Sequence, residues 1–250
     1  MTKPFISICI PCRKDASYER SRNFEYIKAS LKQDWSRQLE AGFAEIVLAN
    51  SNSDLPFSRS AARNNCARKA SGHCLVFLDA DSHVSFSQCM DVVERIFRAT
   101  DTSVCWGLPY DSYWVLTEKS TKDYIMEQTK AHLDAEFVFD SNSLPPQAPS
   151  FGGCVIVSRS AFEEVGGYDE RFRTWGDEDR AFALSLETMT TPVYRTEGCL
   201  YHLWHPASEE DRFGNPGMAA NRELYSRYLN AAGNRQAMKD LIEKRPPREQ

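Results

Sequence analysis

Asp79 and Asp81 close the apolar run Cys74-Leu75-Val76-Phe77-Leu78, two carboxylates two positions apart where a hydrophobic segment stops. A short strand buried on both faces ends where its backbone reaches solvent, so acids placed there stand at a strand's carboxyl end. In open α/β sheets that edge is where ligands bind. Carboxylates at i and i+2 on a curling chain can share a hard divalent cation and leave positions open for diphosphate oxygens and water. An Asp-x-Asp standing alone is more often a solvated strand end, so the weight falls on what else the chain carries.

Four further sets of residues bear chemistry. Arg173-Thr174-Trp175-Gly176-Asp177-Glu178-Asp179-Arg180 brings acids to the start of a helical pattern; the helix dipole favours acids in a first turn, but it does not explain the Trp and Gly before them. Tyr201-His202-Leu203-Trp204-His205-Pro206 sets two histidines three apart, each of which alone would read as a satisfied histidine at a strand end. Gly152-Gly153 opens the apolar run Cys154-Val155-Ile156-Val157, where positions without side chains let a ligand approach the backbone or simply ease a bend. Arg59, Arg63 and Asn64 fall near one another on successive helical turns, aimed at whatever the carboxylates hold or lying on a solvated face.

The elements that must position these residues follow from periodicity. Phe5 to Ile10 is a β-branched run stopped by Pro11, which predicts a first core strand with Arg13, Lys14 and Asp15 at its carboxyl end. Phe24, Ile27 and Leu31 predict an amphipathic helix over Glu19 to Gln33. A second strand, Glu45 to Ala49, ends in the polar loop Asn50-Ser51-Asn52-Ser53-Asp54. A helix over Ser58 to Ala70, with Ser58 as its N-cap, leads through Gly72 into the Asp79/Asp81 strand. Further helices are expected over Val84 to Ala99, Thr117 to Phe139, Ser160 to Val165, Met218 to Tyr228 and Gln236 to Lys244. Short strands are expected over Thr102 to Leu108, Val193 to Arg195 and Cys199 to Leu203. The Pro-rich stretch 140 to 150 reads as a lid or a linker. Strand, helix, strand, polar loop is the opening of a parallel α/β sheet.

The 250 residues suit one large domain, and a net charge of −5 with mixed signs gives no basic arm for nucleic acid. Eight cysteines form no paired C-x2-C pattern, although Cys9 and Cys12 have C-x-x-C spacing. With neither a cationic leader nor an apolar run near ~20 residues, the expected location is cytoplasmic, with reduced thiols.

Taken in order, Pro11 after the first strand, the Asn/Ser/Asp loop, Ala62-Arg63-Asn64, Phe77-Leu78-Asp79-Ala80-Asp81, Gly152-Gly153, Trp175-Gly176-Asp177-Glu178-Asp179 and His202 resemble a GT-A-fold nucleotide-sugar glycosyltransferase. The likeness is to family-2 enzymes and to the catalytic domains of chondroitin-polymerase, β-1,4-galactosyltransferase and polypeptide N-acetylgalactosaminyltransferase types. It implies a Rossmann-like, mainly parallel mixed sheet flanked by helices. A catalytic domain would span 1–206, its nucleotide-binding half about 1–108 and its acceptor half about 109–206, with 207–250 as a helical extension packed on it.

By the same resemblance, Asp81 and His202 ligate Mn2+ or Mg2+, with His205 as the rival ligand and Asp79 on the ribose or the metal. Imidazole among oxygen ligands fits manganese better. Asn50, Asn52 and Asp54 match the nucleobase loop, Pro11 and Arg13 line that pocket, Arg63 matches the basic residue at the diphosphate, and Gly152 and Gly153 the donor site. Trp175 and Asp177 fall at the acceptor. Asp177 stands where many relatives have Gly, which leaves the acceptor open: a glycan, a protein, a lipid-linked sugar, a small molecule or a modified nucleic acid. Glu178 contacts acceptor or donor sugar, and Asp179 is the general base of an inverting transfer from a UDP-sugar. The competing readings are a nucleotidyltransferase, for which the Pro11 loop lacks glycines, and a non-catalytic nucleotide-sugar or glycan-binding module.

Overall fold

A computed structural model describes residues 3–13, 17–51, 57–98, 104–130, 150–207 and 216–246. Among them the chain runs β1 (Ile6–Pro11), α1 (Tyr18–Asp34), α2 (Ser36–Glu40), β2 (Ala44–Ala49), α3 (Arg59–Lys69), β3 (Cys74–Leu78) and β4 (Ser82–His83). It continues through α4 (Phe86–Arg98), β5 (Trp106–Leu108), β6 (Ser112–Val115), α5 (Glu118–Lys130), β7 (Cys154–Ser158) and α6 (Arg159–Glu164). The last elements are α7 (Glu178–Met189), β8 (Tyr194–Arg195), β9 (Cys199–His202), α8 (Pro216–Ala231) and α9 (Arg235–Glu243).

The main sheet has the order β2-β1-β3-β7-β5-β8, and within it only β7 runs against the others. This is the mixed, mainly parallel sheet that the family resemblance implied. Every residue of β1 and of β3 is buried, as strands covered by helices on both faces require. A second sheet, β4-β9-β6, joins Ser82 to His202 and Trp114 to Tyr201. Its strands β4 and β6 were not foreseen, because two and four residues are too short for a period to show.

The helices that carry site residues are seated by different means. Helix α1 begins at Ser17, whose hydroxyl accepts from the Arg20 amide, and buries Ile27 and Leu31, each worth ~1.5–3 kcal/mol when fully covered. Helix α3 has the foreseen Ser58 cap, with Oγ accepting from the Ala61 amide. Its sequence is polar, yet Ala61, Ala62, Arg63, Asn64, Cys66 and Ala67 are all buried. Small side chains let it lie close on β1 and β2, so polar residues on it sink into the protein. Asn64 is satisfied there: its amide nitrogen donates to the Tyr168 carbonyl at 2.9 Å and to Glu170 at 2.7 Å, and its oxygen accepts from the Tyr168 amide.

Helices α8 and α9 pack on α7, burying Leu224, Tyr228 and Met238 in the common core. The expected strand from Thr102 begins at Trp106, with 99–103 outside the described residues. The expected helix over Thr117 to Phe139 is described as far as Lys130, and the 140 to 150 stretch lies outside the described residues except for Ser150. No helix among the described residues is long and apolar enough to cross a membrane.

Candidate active site

The carboxyl ends of β1 and β3 open into a cleft of about 1280 Å³. Pro11, Arg13, Asp79, Asp81, Gly152, Gly153, Trp175, Asp177, Glu178, Asp179, His202 and His205 all line it. Residues spread over most of the sequence are thereby brought to one place. Arg63 lies behind the lining, and Asn50 is outside it: the Asn50 side-chain oxygen accepts from the Ser51 amide, and its carbonyl from Asn65. Asn52 and Asp54 lie outside the described residues.

At one end, Asp81, His202 and His205 each offer a ligand atom, all within 4.8 Å of one another. His205 Nε2 is 3.1 Å and His202 Nε2 3.7 Å from the Asp81 carboxylate. The two histidines therefore converge rather than compete, while Asp79 turns away to Arg63. His205 Nδ1 lies 3.1 Å from the Pro206 carbonyl and donates to it, which turns Nε2 toward Asp81. Burial pushes the His202 imidazole below its usual pKa, against the pull of Asp81, and keeps it neutral at pH 7. Burial opposes the charge on Asp81, but His202, His205 and Arg20 outweigh it and hold the carboxyl well below the usual range. Two imidazole nitrogens and a carboxylate turned toward one spot make a donor set that a cation could occupy. This donor set suits a borderline divalent ion, Mn2+ better than Mg2+.

The turn that carries the histidines is fixed from several sides. Ser82 pairs with His202, and the Leu203 amide donates to the Asp81 carbonyl at 2.8 Å. From α1, the buried Asn23 amide donates to the Trp204 carbonyl at 2.9 Å and to the Leu203 carbonyl at 3.4 Å. From α5, the buried Thr121 hydroxyl accepts from the Trp204 amide at 2.7 Å. Neither residue was among the sequence candidates. The one available signal was Asn23 itself, a polar residue in the same stripe as Ile27 and Leu31.

At the other end, Arg63 is buried and bridges two carboxylates, Asp79 at 2.7 Å and Asp179 at 2.8 Å, with Glu178 at 4.0 Å and the Tyr168 ring beneath. Burial raises the Asp179 pKa, Arg63 lowers it, and Glu178 and Asp79 raise it again; the carboxyl is pushed up to about 7. A Cβ on Gly152 would lie 2.8 Å from Asp179 Oδ2, so the absence of a side chain there gives that carboxylate its room. Asp177 precedes α7 in the left-handed region at φ +67° and makes no side-chain cap. Helix capping thus does not account for it; its carboxylate faces Arg180 at 3.6 Å. Glu178 accepts from the Gly176 amide. Thr174, at φ +63°, adds a second strained position to this turn. The turn is gripped by Asn221 of α8, whose amide donates to the carbonyls of Arg173, Trp175 and Gly176.

Residues 37–203, more than half of the chain, match the profile of glycosyltransferase-like family 2. The chain belongs to that family. A Drosophila melanogaster protein assigned as polypeptide N-acetylgalactosaminyltransferase 13 is 28% identical to this family 2-like glycosyltransferase chain over 137 residues, 50% of this chain. The match spans 24% of that relative's length, so the chain corresponds to about a quarter of it. The catalytic domain of Drosophila β1,4-galactosyltransferase 7, solved with xylobiose, superposes with a TM-score of 0.52 at 12% identity, covering 87% of this chain and 79% of that one. Staphylococcus aureus TarS 1–349, solved with UDP-GlcNAc, gives 0.52 at 12% identity over 96% of this chain and 70% of that one. These likenesses show a shared GT-A fold.

Proposed function

We propose that this chain transfers a hexose or N-acetylhexosamine from a UDP-sugar to a hydroxyl acceptor, with inversion and with a divalent cation. The observation that carries the reading is a cleft with a carboxylate and two imidazoles converging at one end and, at the other, a carboxylate with its pKa raised to about 7. UDP-GlcNAc in TarS and xylobiose in the galactosyltransferase, on the same fold, support a sugar-nucleotide donor and a sugar acceptor.

Asp81, His202 and His205 would hold Mn2+, which when bound neutralises charge developing on a departing diphosphate. Asp179 accepts the proton of the attacking hydroxyl, and a base with a pKa near the working pH does so best. Arg63 holds Asp79 and Asp179 in one rigid frame, which fixes the base relative to the donor. We assign the nucleotide to Pro11 and Arg13, with Asn50, Asn52 and Asp54 assigned on the resemblance alone, the donor sugar to Asp79 and the Gly152-Gly153 backbone, and the acceptor to Trp175, Asp177 and Glu178.

A screen of UDP- and GDP-sugars for slow hydrolysis with Mn2+ tests this without an acceptor. UDP-sugar turnover that stops with EDTA and returns with Mn2+ is the expected result. Turnover that survives chelation would remove the metal from the reading, and no turnover of any nucleotide-sugar would sink it.

A further inference from the structure

Helix α8 lies beyond the residues matched to the family, yet it forms a wall of the same cleft. Met218, Ala219 and Arg222, at i, i+1 and i+4 on one helical face, line it. The buried Asn221 between them grips the Arg173–Gly176 backbone, so α8 is tied to the turn that carries Trp175. Trp175 is 48% exposed within the cleft, and an indole left open to water gains when a ring covers it.

The charges around it are uneven. Asp177 is answered by Arg180, and Asp79 and Asp179 are answered by Arg63. Glu178 is buried and takes the Gly176 amide. Arg222 is exposed on the cleft wall and has no hydrogen-bond or ion-pair partner among the described residues. A guanidinium and an exposed indole lining one cleft can together take a planar or tetrahedral oxyanion carried on a ring.

We infer that Trp175 and Arg222 form an acceptor subsite for a sugar bearing an anionic group, a carboxylate or a phosphate, with the ring on Trp175 and the anion on Arg222. This rests on the transferase reading above and specifies its acceptor. Met218 and Ala219 supply the apolar flank of the same subsite.

The test compares matched ligands on the protein with UDP and Mn2+ present, by ligand-observed NMR titration. Methyl β-glucuronide is set against methyl β-glucoside, methyl β-galacturonide against methyl β-galactoside, and glucose 6-phosphate against glucose. The expected result is that the anionic member of at least one pair binds about tenfold tighter, with the preference weakening in high salt. Arg222→Gln should bring that ratio close to one, Arg222→Lys should keep part of it, and Trp175→Ala should weaken both members alike. The carboxylate and phosphate arms show which anion is preferred. Equal binding within every pair, no anionic sugar bound at millimolar concentration, or a preference that Arg222→Gln leaves in place would overturn the inference. The donor reading is judged separately by wild-type UDP-sugar hydrolysis: hydrolysis without an anion preference rejects the subsite alone, and absence of hydrolysis rejects the transferase.

Discussion

Asp179 is a carboxyl group whose surroundings oppose one another: burial, Glu178 and Asp79 raise its pKa, and Arg63 at 2.8 Å lowers it, leaving it at about 7. A general base works when ionised, so activity should climb with pH through a midpoint near 7 and be lost on the acid side; a pH profile of kcat/KM for transfer checks this. Asp179→Asn removes the proton acceptor and should cut kcat about 10²–10⁴-fold with donor binding retained, and near-normal transfer by that variant would show that another group is the base. Arg63→Met takes away the cation that lowers the Asp179 pKa, so the acid limb of the same profile should move above 7. It also leaves Asp79 and Asp179 without their partner, at a cost on the order of 3 kcal/mol in denaturant unfolding.

At the scale of elements, the convergence of Asp81, His202 and His205 depends on a turn held by two helices that supply none of those three donors. Asn23 of α1 and Thr121 of α5 satisfy the backbone between His202 and His205. Groups that orient ligands change metal affinity about 10–100-fold when removed. Asn23→Leu and Thr121→Val should weaken Mn2+ binding by that order, read from free Mn2+ by electron paramagnetic resonance, while Thr121→Ser restores it. A Thr121→Val protein with wild-type Mn2+ affinity would show that β4–β9 pairing alone sets the turn. Helix α3 does the corresponding work for the Asp179 end, because its small residues bring Arg63 under the cleft and Asn64 locks it to Tyr168 and Glu170.

Across the whole molecule, the cleft joins elements from both ends of the chain, from Pro11 to Arg222. A ligand bound there ties β1, β3, β9, α7 and α8 together and stabilises only the folded state. Mn2+ with UDP at about 100 times their dissociation constants should add about 2.7 kcal/mol, a rise in Tm of roughly 5–10 °C for a chain of this size. Asp81→Ala should remove the Mn2+-dependent part of that rise. A calorimetric scan with and without EDTA measures it, and an equal rise in the variant would place the ion elsewhere.

The sequence by itself determined what lies within reach of a local pattern. The apolar run before Asp79 and Asp81 specified a doubly buried strand, Ser58 a helix start, and the order of Asp pair, glycine pair, tryptophan-acid motif and histidine pair specified the fold. Only the tertiary structure decided how the charges are shared. His202 and His205 both reach Asp81 because β4 pairs with β9 and because Asn23, 181 residues from Trp204, grips the intervening turn. Arg63, assigned from the sequence to a diphosphate, sits between Asp79 and Asp179 because α3 sinks into the protein through small residues that carry no apolar period. Periodicity and capping act over a few residues and can be read along the chain. Which carboxylate meets which cation depends on long-range register and burial, and those exist only once the chain has folded.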